Sequence, residues 1–298
     1  MPYIIENASI LREAGRVRQS ILTDGEKVSS VRGDLPAYSY MKMNVDAFLM
    51  TPTYSVLEGG LTDIPPAGAK AHIEEKYLKN GCTTILTYVK AEYEREVGEK
   101  LAGVAGNLSG IPADYAIGIK IPIGLLCPSV LRECKRRKLP AVFVEFTTPD
   151  LFGKIPWGWI REALFPYNCP LIPMVPLREE GQKKMLLAKW KKVMEAERIP
   201  SLDDELEECV PIGSQALNEM GLFPWRSSLM HNAELSYNLY WDEGLDGADE
   251  KSLFLYHSDK LAMTVQRGKI IRFGNRTDFA EGNGEHIKVK THSFFAIK

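Results

Sequence analysis

Between residues 68 and 198 the sequence alternates two periods, and that alternation restricts what the chain can fold into more than any other feature. Segments 69–80, 128–138, 157–165 and 182–198 carry apolar residues at helical spacing, whereas 83–89, 115–123, 141–146 and 170–175 are short apolar or β-branched runs. Strands that are apolar along their whole length, each followed by a helix, require a parallel sheet with helical crossovers packed on it. Asn80-Gly81 stops the first helix, and Pro128 stands where a first helical turn tolerates proline. Gly103 to Gly110 is glycine-rich and reads as a flexible connection.

The two ends of the chain have a different character. Tyr3 to Ile5, Val17 to Leu22, Val28 to Val31 and Met41 to Leu49 read as strands, punctuated by Asp24-Gly25 and Gly33-Asp34. Leu235 to Trp241, Ser252 to Tyr256, Leu261 to Val265, Lys269 to Phe273 and Ile287 to Phe295 read the same way, between glycine-bearing turns. The order is sheet, α/β, sheet. It predicts an α/β fold with a flanking β domain, in which 1–52 and 223–298 join around a central unit of 53–222.

Charge excludes several function classes. Lys plus Arg number 37 against 39 Asp plus Glu, a net charge of -2 that supplies no field for nucleic acid or an anionic membrane. The run Lys183, Lys184, Lys189, Lys191 and Lys192 is interleaved with Leu186, Trp190 and Met194, which describes a surface helix with one apolar face. No apolar run approaches the ~18 residues of a membrane span, and no basic-then-apolar leader precedes Tyr3, so a cytoplasmic protein is expected. The five cysteines (Cys82, Cys127, Cys134, Cys169 and Cys209) form no CxxC pair and mostly sit in or beside apolar segments. They are expected as buried thiols in a reducing compartment.

Three stretches carry a resemblance. The first is Tyr3-Ile4-Ile5-Glu6-Asn7-Ala8-Ser9-Ile10 with Ile21-Leu22-Thr23-Asp24-Gly25-Glu26-Lys27-Val28. The second is Leu49-Met50-Thr51-Pro52-Thr53-Tyr54 with Asn80-Gly81-Cys82-Thr83-Thr84-Ile85. The third runs from Pro211 to Pro224, and weaker matches lie at Asp114-Tyr115-Ala116 and from Thr264 to Ile271. In this order they resemble the opening hairpin, barrel entry, barrel exit and closing strand of the amidohydrolase superfamily, in its dihydropyrimidinase and dihydroorotase branch. The resemblance spans the chain and implies a TIM-type barrel beside a composite β-sandwich built from both chain ends.

It also implies a pair of divalent metals held by histidines and carboxylates at the C-terminal ends of barrel strands. The family's first histidine pair should fall within Pro52-Thr53-Tyr54-Ser55-Val56-Leu57-Glu58, which contains none; His72 comes next, and no histidine follows before His231. The strand that should carry a carboxylated lysine, Ala141 to Phe146, has Glu145 instead, a residue type that a related deacetylase branch uses on its equivalent strand. The remaining inventory is Glu58, Asp63 and Glu145 as candidate catalytic carboxylates, with Glu145 and His72 as candidate metal ligands. The run Asp203, Asp204, Glu205, Glu207 and Glu208 reads as a solvated helix start. Cys127, at a helix start that would stabilise a thiolate, would need His72 as its base.

Only about 140 residues separate Gly68 from the exit at Pro211, against roughly 250 for a complete eight-unit barrel. A truncated or distorted TIM-type barrel is therefore expected, with an open edge for a second copy or a protein partner to cover. Trp157, Trp159, Phe165 and Trp190 are candidate interface aromatics. The sequence thus predicts a non-catalytic amidohydrolase-like protein with a structural, regulatory or small-molecule-binding role and no cofactor. The alternative is a metal-dependent hydrolase of amide or cyclic amide bonds with a rearranged site around a divalent transition metal such as zinc.

Overall fold

The computed structural model describes residues 2–280 and 282–293. Five strands open the chain: β1 (Ile4–Arg12), β2 (Gly15–Asp24), β3 (Lys27–Arg32), β4 (Lys42–Asn44) and β5 (Phe48–Pro52). A central unit follows, with β6 (Tyr54–Leu57), α1 (Pro66–Lys76), β7 (Cys82–Lys90), α2 (Val97–Asn107), β8 (Asp114–Pro122), α3 (Pro128–Arg137), β9 (Val142–Glu145), α4 (Trp157–Leu164), β10 (Leu171–Met174) and α5 (Glu180–Glu197). The chain returns through α6 (Ser214–Glu219), β11 (Tyr237–Trp241), α7 (Glu250–Tyr256), β12 (Leu261–Gln266), β13 (Lys269–Phe273) and β14 (Arg276–Thr277). The flanking sheet is mixed and nine-stranded, in the order β14-β13-β12-β11-β5-β1-β2-β3, with β4 also on β1. Both chain ends therefore build one sheet, joined where β11 pairs antiparallel with β5.

The central strands form a curled, open half-barrel in the order β6-β7-β8-β9-β10, every pair parallel. Side-chain alternation sorts their residues onto two faces. Tyr115, Ile117, Ile119 and Ile121 of β8, with Ile85 and Val89 of β7 and Val142 and Val144 of β9, face outward. There they meet Ile73 of α1, Leu101 of α2, Leu131 of α3, Ile160 of α4 and Trp190 of α5. Leu86, Ala116, Phe143 and Ile172 point to the concave side.

In this chain that concave side is filled by its own exit segment. Leu202, Ile212, Leu217, Met220 and Leu222 pack into the half-barrel, joined by Val289 from the C-terminal end. Burying each such side chain is worth about 1.5–3 kcal/mol, so the segment replaces the core that absent strands would have supplied. It also hydrogen-bonds to both edge strands. Leu171 of β10 donates to Pro200 and accepts from Leu202, while Leu57 and Ser55 of β6 accept from Cys209 and Ile212. Residues 282–293 cross beneath the strand beginnings, where Ile287 N–H donates to Tyr115 and Val289 N–H to Lys138.

Several sequence expectations are corrected here. The half-barrel has five strands rather than four, because Tyr54–Leu57, read as the barrel entry, is itself the first strand. Gly103 and Gly106 lie inside α2, whose buried Val97 and Leu101 hold a helix that glycine propensity alone disfavours. Ser252 to Tyr256 is helical, started by a capping box between Asp249 and Ser252. The acidic run at 203–208 starts no helix and belongs to the exit segment. Ile287 to His292 runs as irregular chain with an isolated bridge at His286, and Phe294 and Phe295 lie outside the described residues. Trp157 and Trp190 are buried in the core, whereas Trp159 and Phe165 are 66% and 68% exposed. No described helix is long and apolar enough to cross a membrane.

Candidate functional site

Parallel strands direct their C-terminal ends to one rim, and every sequence-derived candidate carboxylate lies there. Glu145 ends β9 on the concave parity of Phe143, and its carboxylate is paired with Lys120 of β8, which has the concave parity of Ala116. Asp63 lies beyond β6 and pairs at 3.0 Å with Lys90 at the end of β7, both exposed. Between them the Tyr88 hydroxyl donates to Glu208 at 3.1 Å, its ring 4.8 Å from that of Phe143. Gly59 lies close against this pair, and a Cβ there would displace the Tyr88 hydroxyl and the Glu208 carboxylate.

Glu58 turns the other way, toward α1. Its Oε2 accepts from Lys76 Nζ at 2.6 Å and from the Tyr77 hydroxyl, and Cys209 Sγ and His72 Nε2 each lie 3.5 Å from the same oxygen. Lys76 Nζ also reaches Cys209 Sγ at 3.2 Å. The spacing of α1 explains the gathering, because His72 and Lys76 are one turn apart on one face and Tyr77 follows at the cap. Burial opposes ionisation of Glu58, but the Lys76 ammonium and the Tyr77 hydroxyl outweigh it and hold the carboxyl below its ordinary range. The Tyr77 phenol is pushed upward by burial and by the carboxylate beside it, so it remains a donor.

The structure thus unites Glu58 with His72, while Glu145 and Asp63 are each paired with a different lysine. Cys127 lies against Ser129 (3.1 Å) and Glu94 (3.9 Å), and the cysteine that Glu58 and Lys76 meet is Cys209. Sequence reading passed over Cys209, since nothing local to Glu-Glu-Cys-Val-Pro announces a contact with residues from another strand and helix. The one available signal was a polar residue wedged between an acidic run and the barrel exit.

The residues also fail a fit test for a metal pair. Among the described residues no group of three or more histidine, cysteine, aspartate or glutamate side chains is placed to hold a metal ion. Glu145 and Glu58 each carry a lysine ammonium where a cation would have to sit.

A second feature lies between the two sheets. A cleft of about 1010 Å³ opens among the β1–β2 turn, the start of β6, residues 211–214 and 227–230, and the start of α7. Tyr54 and Phe223 contribute aromatic wall, and Ser55 and Ser227 hydroxyls meet at 2.7 Å. Glu250 lines it too, its carboxyl pushed up to about 7 by burial and by Glu13 and Asp249 nearby.

No protein-family model matches the chain, and no curated protein matches it. Solved structures do. A dihydropyrimidinase from Brevibacillus agri NCHU1002 aligns over 98% of this chain and 99% of its own, with a TM-score of 0.59 and 12% identity. A D-hydantoinase gives 0.61 over 98% and 99% at 12% identity, and a D-hydantoinase (dihydropyrimidinase) from Thermus sp. 0.57 over 98% and 100% at 12%. The chain shares its fold with these dihydropyrimidinase and D-hydantoinase structures. At this identity the likeness is one of architecture: an open half-barrel and a flanking sheet, here with lysine–carboxylate pairs on the C-terminal rim.

Proposed function

We propose that this protein uses an amidohydrolase-type fold to bind a small ligand and does not hydrolyse amides with a metal pair. The observation that carries the reading is the Lys120–Glu145 pair at the concave rim. A unit charge 4 Å from an ammonium is opposed by about 4 kcal/mol at an effective dielectric near 20, and a divalent ion by about twice that. The filled concave side supports the same reading, because Leu202 and Ile212 stand where a barrel substrate would descend. The cleft between the sheets supports the ligand-binding half, since its size suits a small organic molecule. The open sheet, with Trp159 and Phe165 exposed on and beside α4, is the face on which a second copy or a protein partner would pack.

Elemental analysis of protein purified without added metal or chelator tests the first half. Less than about a tenth of an equivalent of transition metal, unchanged after incubation with zinc and desalting, is the expected result. A retained stoichiometric metal would sink the proposal. For the second half, small molecules that raise the melting temperature should lose their effect in Met230→Trp, which fills the cleft. Hits that survive that substitution place the ligand elsewhere.

A further inference from the structure

The Cys209 cluster lies outside the cleft and turns away from the Lys120–Glu145 pair toward α1, and its groups are arranged as a nucleophile with its acceptor and its counter-charge. We propose that Cys209 is a nucleophilic thiol that takes the acyl group of small esters or thioesters and passes it to water. The assignment is independent of the ligand-binding reading, because it uses neither the cleft nor Lys120 and Glu145.

Three observations single out Cys209 among the five cysteines. Cys82, Cys134 and Cys169 are buried, and burial pushes their thiols up, that of Cys134 to about 12. Cys127 touches the Ser129 hydroxyl and the Glu94 carboxylate, with no ammonium in contact. Cys209 is partly exposed and has an ammonium at 3.2 Å, a phenol at 3.5 Å and a carboxylate oxygen at 3.5 Å. The cluster reaches the surface, with the Lys76 side chain 40% exposed and that of His72 29%. Its backbone is also unusual. Cys209 has φ 61, a left-handed conformation that a β-carbon disfavours, and it is held there by its N–H bond to Leu57. Such a conformation persists where surrounding structure enforces it, and here it turns Sγ over Glu58.

The chemistry follows from positions. The Cys209 Sγ proton passes to Glu58 Oε2 as sulfur attacks the acyl carbon, and the Lys76 ammonium faces the oxyanion that develops on the carbonyl oxygen. When the carbonyl re-forms, the bond to the leaving alcohol or thiol breaks and that group recovers the proton from Glu58. Water then attacks the S-acyl cysteine, giving its proton to the same carboxylate, and the departing thiolate takes it back. The sum is ester plus water to acid plus alcohol, with no electron exchanged. Glu58 is ionised, and Lys76 and Tyr77 protonated, near neutral pH, which are the states these steps need. His72 Nε2, without a hydrogen-bond partner among the described residues, stands beside Glu58 as a neighbour for the transferred proton.

The test is a p-nitrophenyl acetate time course on the full chain with chelator present, followed by peptide mass spectrometry. The expected result is a burst of one nitrophenol per chain, with the acetyl group on the peptide that carries Cys209. Cys209→Ser should abolish the burst, and Glu58→Gln should slow it by about a hundredfold. Lys76→Met, with its fold checked by circular dichroism, should slow acylation at least tenfold while denatured protein still titrates the full count of thiols. Acetylation of Cys127 or of lysine side chains in place of Cys209, or an undiminished burst in Cys209→Ser, overturns the proposal. So does a reaction that the chelator stops, since that would point to a metal instead.

Discussion

At the scale of single residues, Glu58 shows how one carboxylate can be required by its surroundings. It is nearly buried, yet it stays ionised because Lys76 and Tyr77 donate to it. Its folded-state pKa lies below the ordinary 4.5, so its contribution to stability is complete above that value and is lost as pH falls through the lower folded value. Urea unfolding followed downward from pH 4.5 should therefore show a fall in stability that is shallower in Glu58→Gln. At neutral pH the same substitution should destabilise by about 1–3 kcal/mol, since it leaves the Lys76 ammonium without its partner charge. A variant whose acid profile matches the parent would mean that the cluster is held by packing rather than charge.

At the scale of elements, the C-terminal strap 282–293 replaces regular pairing with a few fitted contacts. Gly284 lies against the Ala113 backbone, where a β-carbon has no room, and its N–H donates to Ile111. His292 is wedged beneath the Tyr167 ring, its nitrogens facing the Tyr167 and Pro140 carbonyls at 3.0 and 3.2 Å. Gly284→Ala should push the strap from the sheet and cost about 1–3 kcal/mol, read by thermal unfolding. Amide exchange should then rise first at Glu285, Ile287 and Val289, strap residues whose N–H groups bond to Asp114, Tyr115 and Lys138. Uniform loss of protection across the chain would show that the strap does not open as a unit. The sequence reads Ile287 to Phe295 as a strand; the strap's donors instead go to scattered acceptors, among them Ile111 in a loop, Tyr115 in β8, Lys138 at the end of α3 and Asn218 in α6.

At the scale of the whole molecule, a buried charge network ties the two sheets together beside their shared apolar core and the Tyr54–Tyr240 hydroxyl contact. Asp114 at the start of β8 is 0% exposed and meets Arg226 at 3.2 Å and the Arg267 guanidinium, while Glu234 meets Arg226 at 2.6 Å. Removing the Asp114 charge leaves Arg226 and Arg267 facing only Glu234 and Glu285, so Asp114→Asn should cost about 1–3 kcal/mol. It should also split the single unfolding transition into two as the half-barrel and flanking sheet uncouple, a result visible by calorimetry. A variant that still melts in one step at the parent temperature would remove this network as the tie. Much of this architecture was legible in the chain. Alternating apolar runs and helical periods specified a parallel sheet, and turn-rich ends specified a second one, because both depend on local spacing. The absence of histidine near Pro52 was equally readable, since composition needs no fold. What tertiary structure decided was which distant residues share a point in space: Cys209 with Glu58 and His72, Lys120 with Glu145, and Leu202 and Ile212 inside the half-barrel. Those contacts follow from strand order and from the path of an irregular segment, neither of which is encoded in the period of any one stretch.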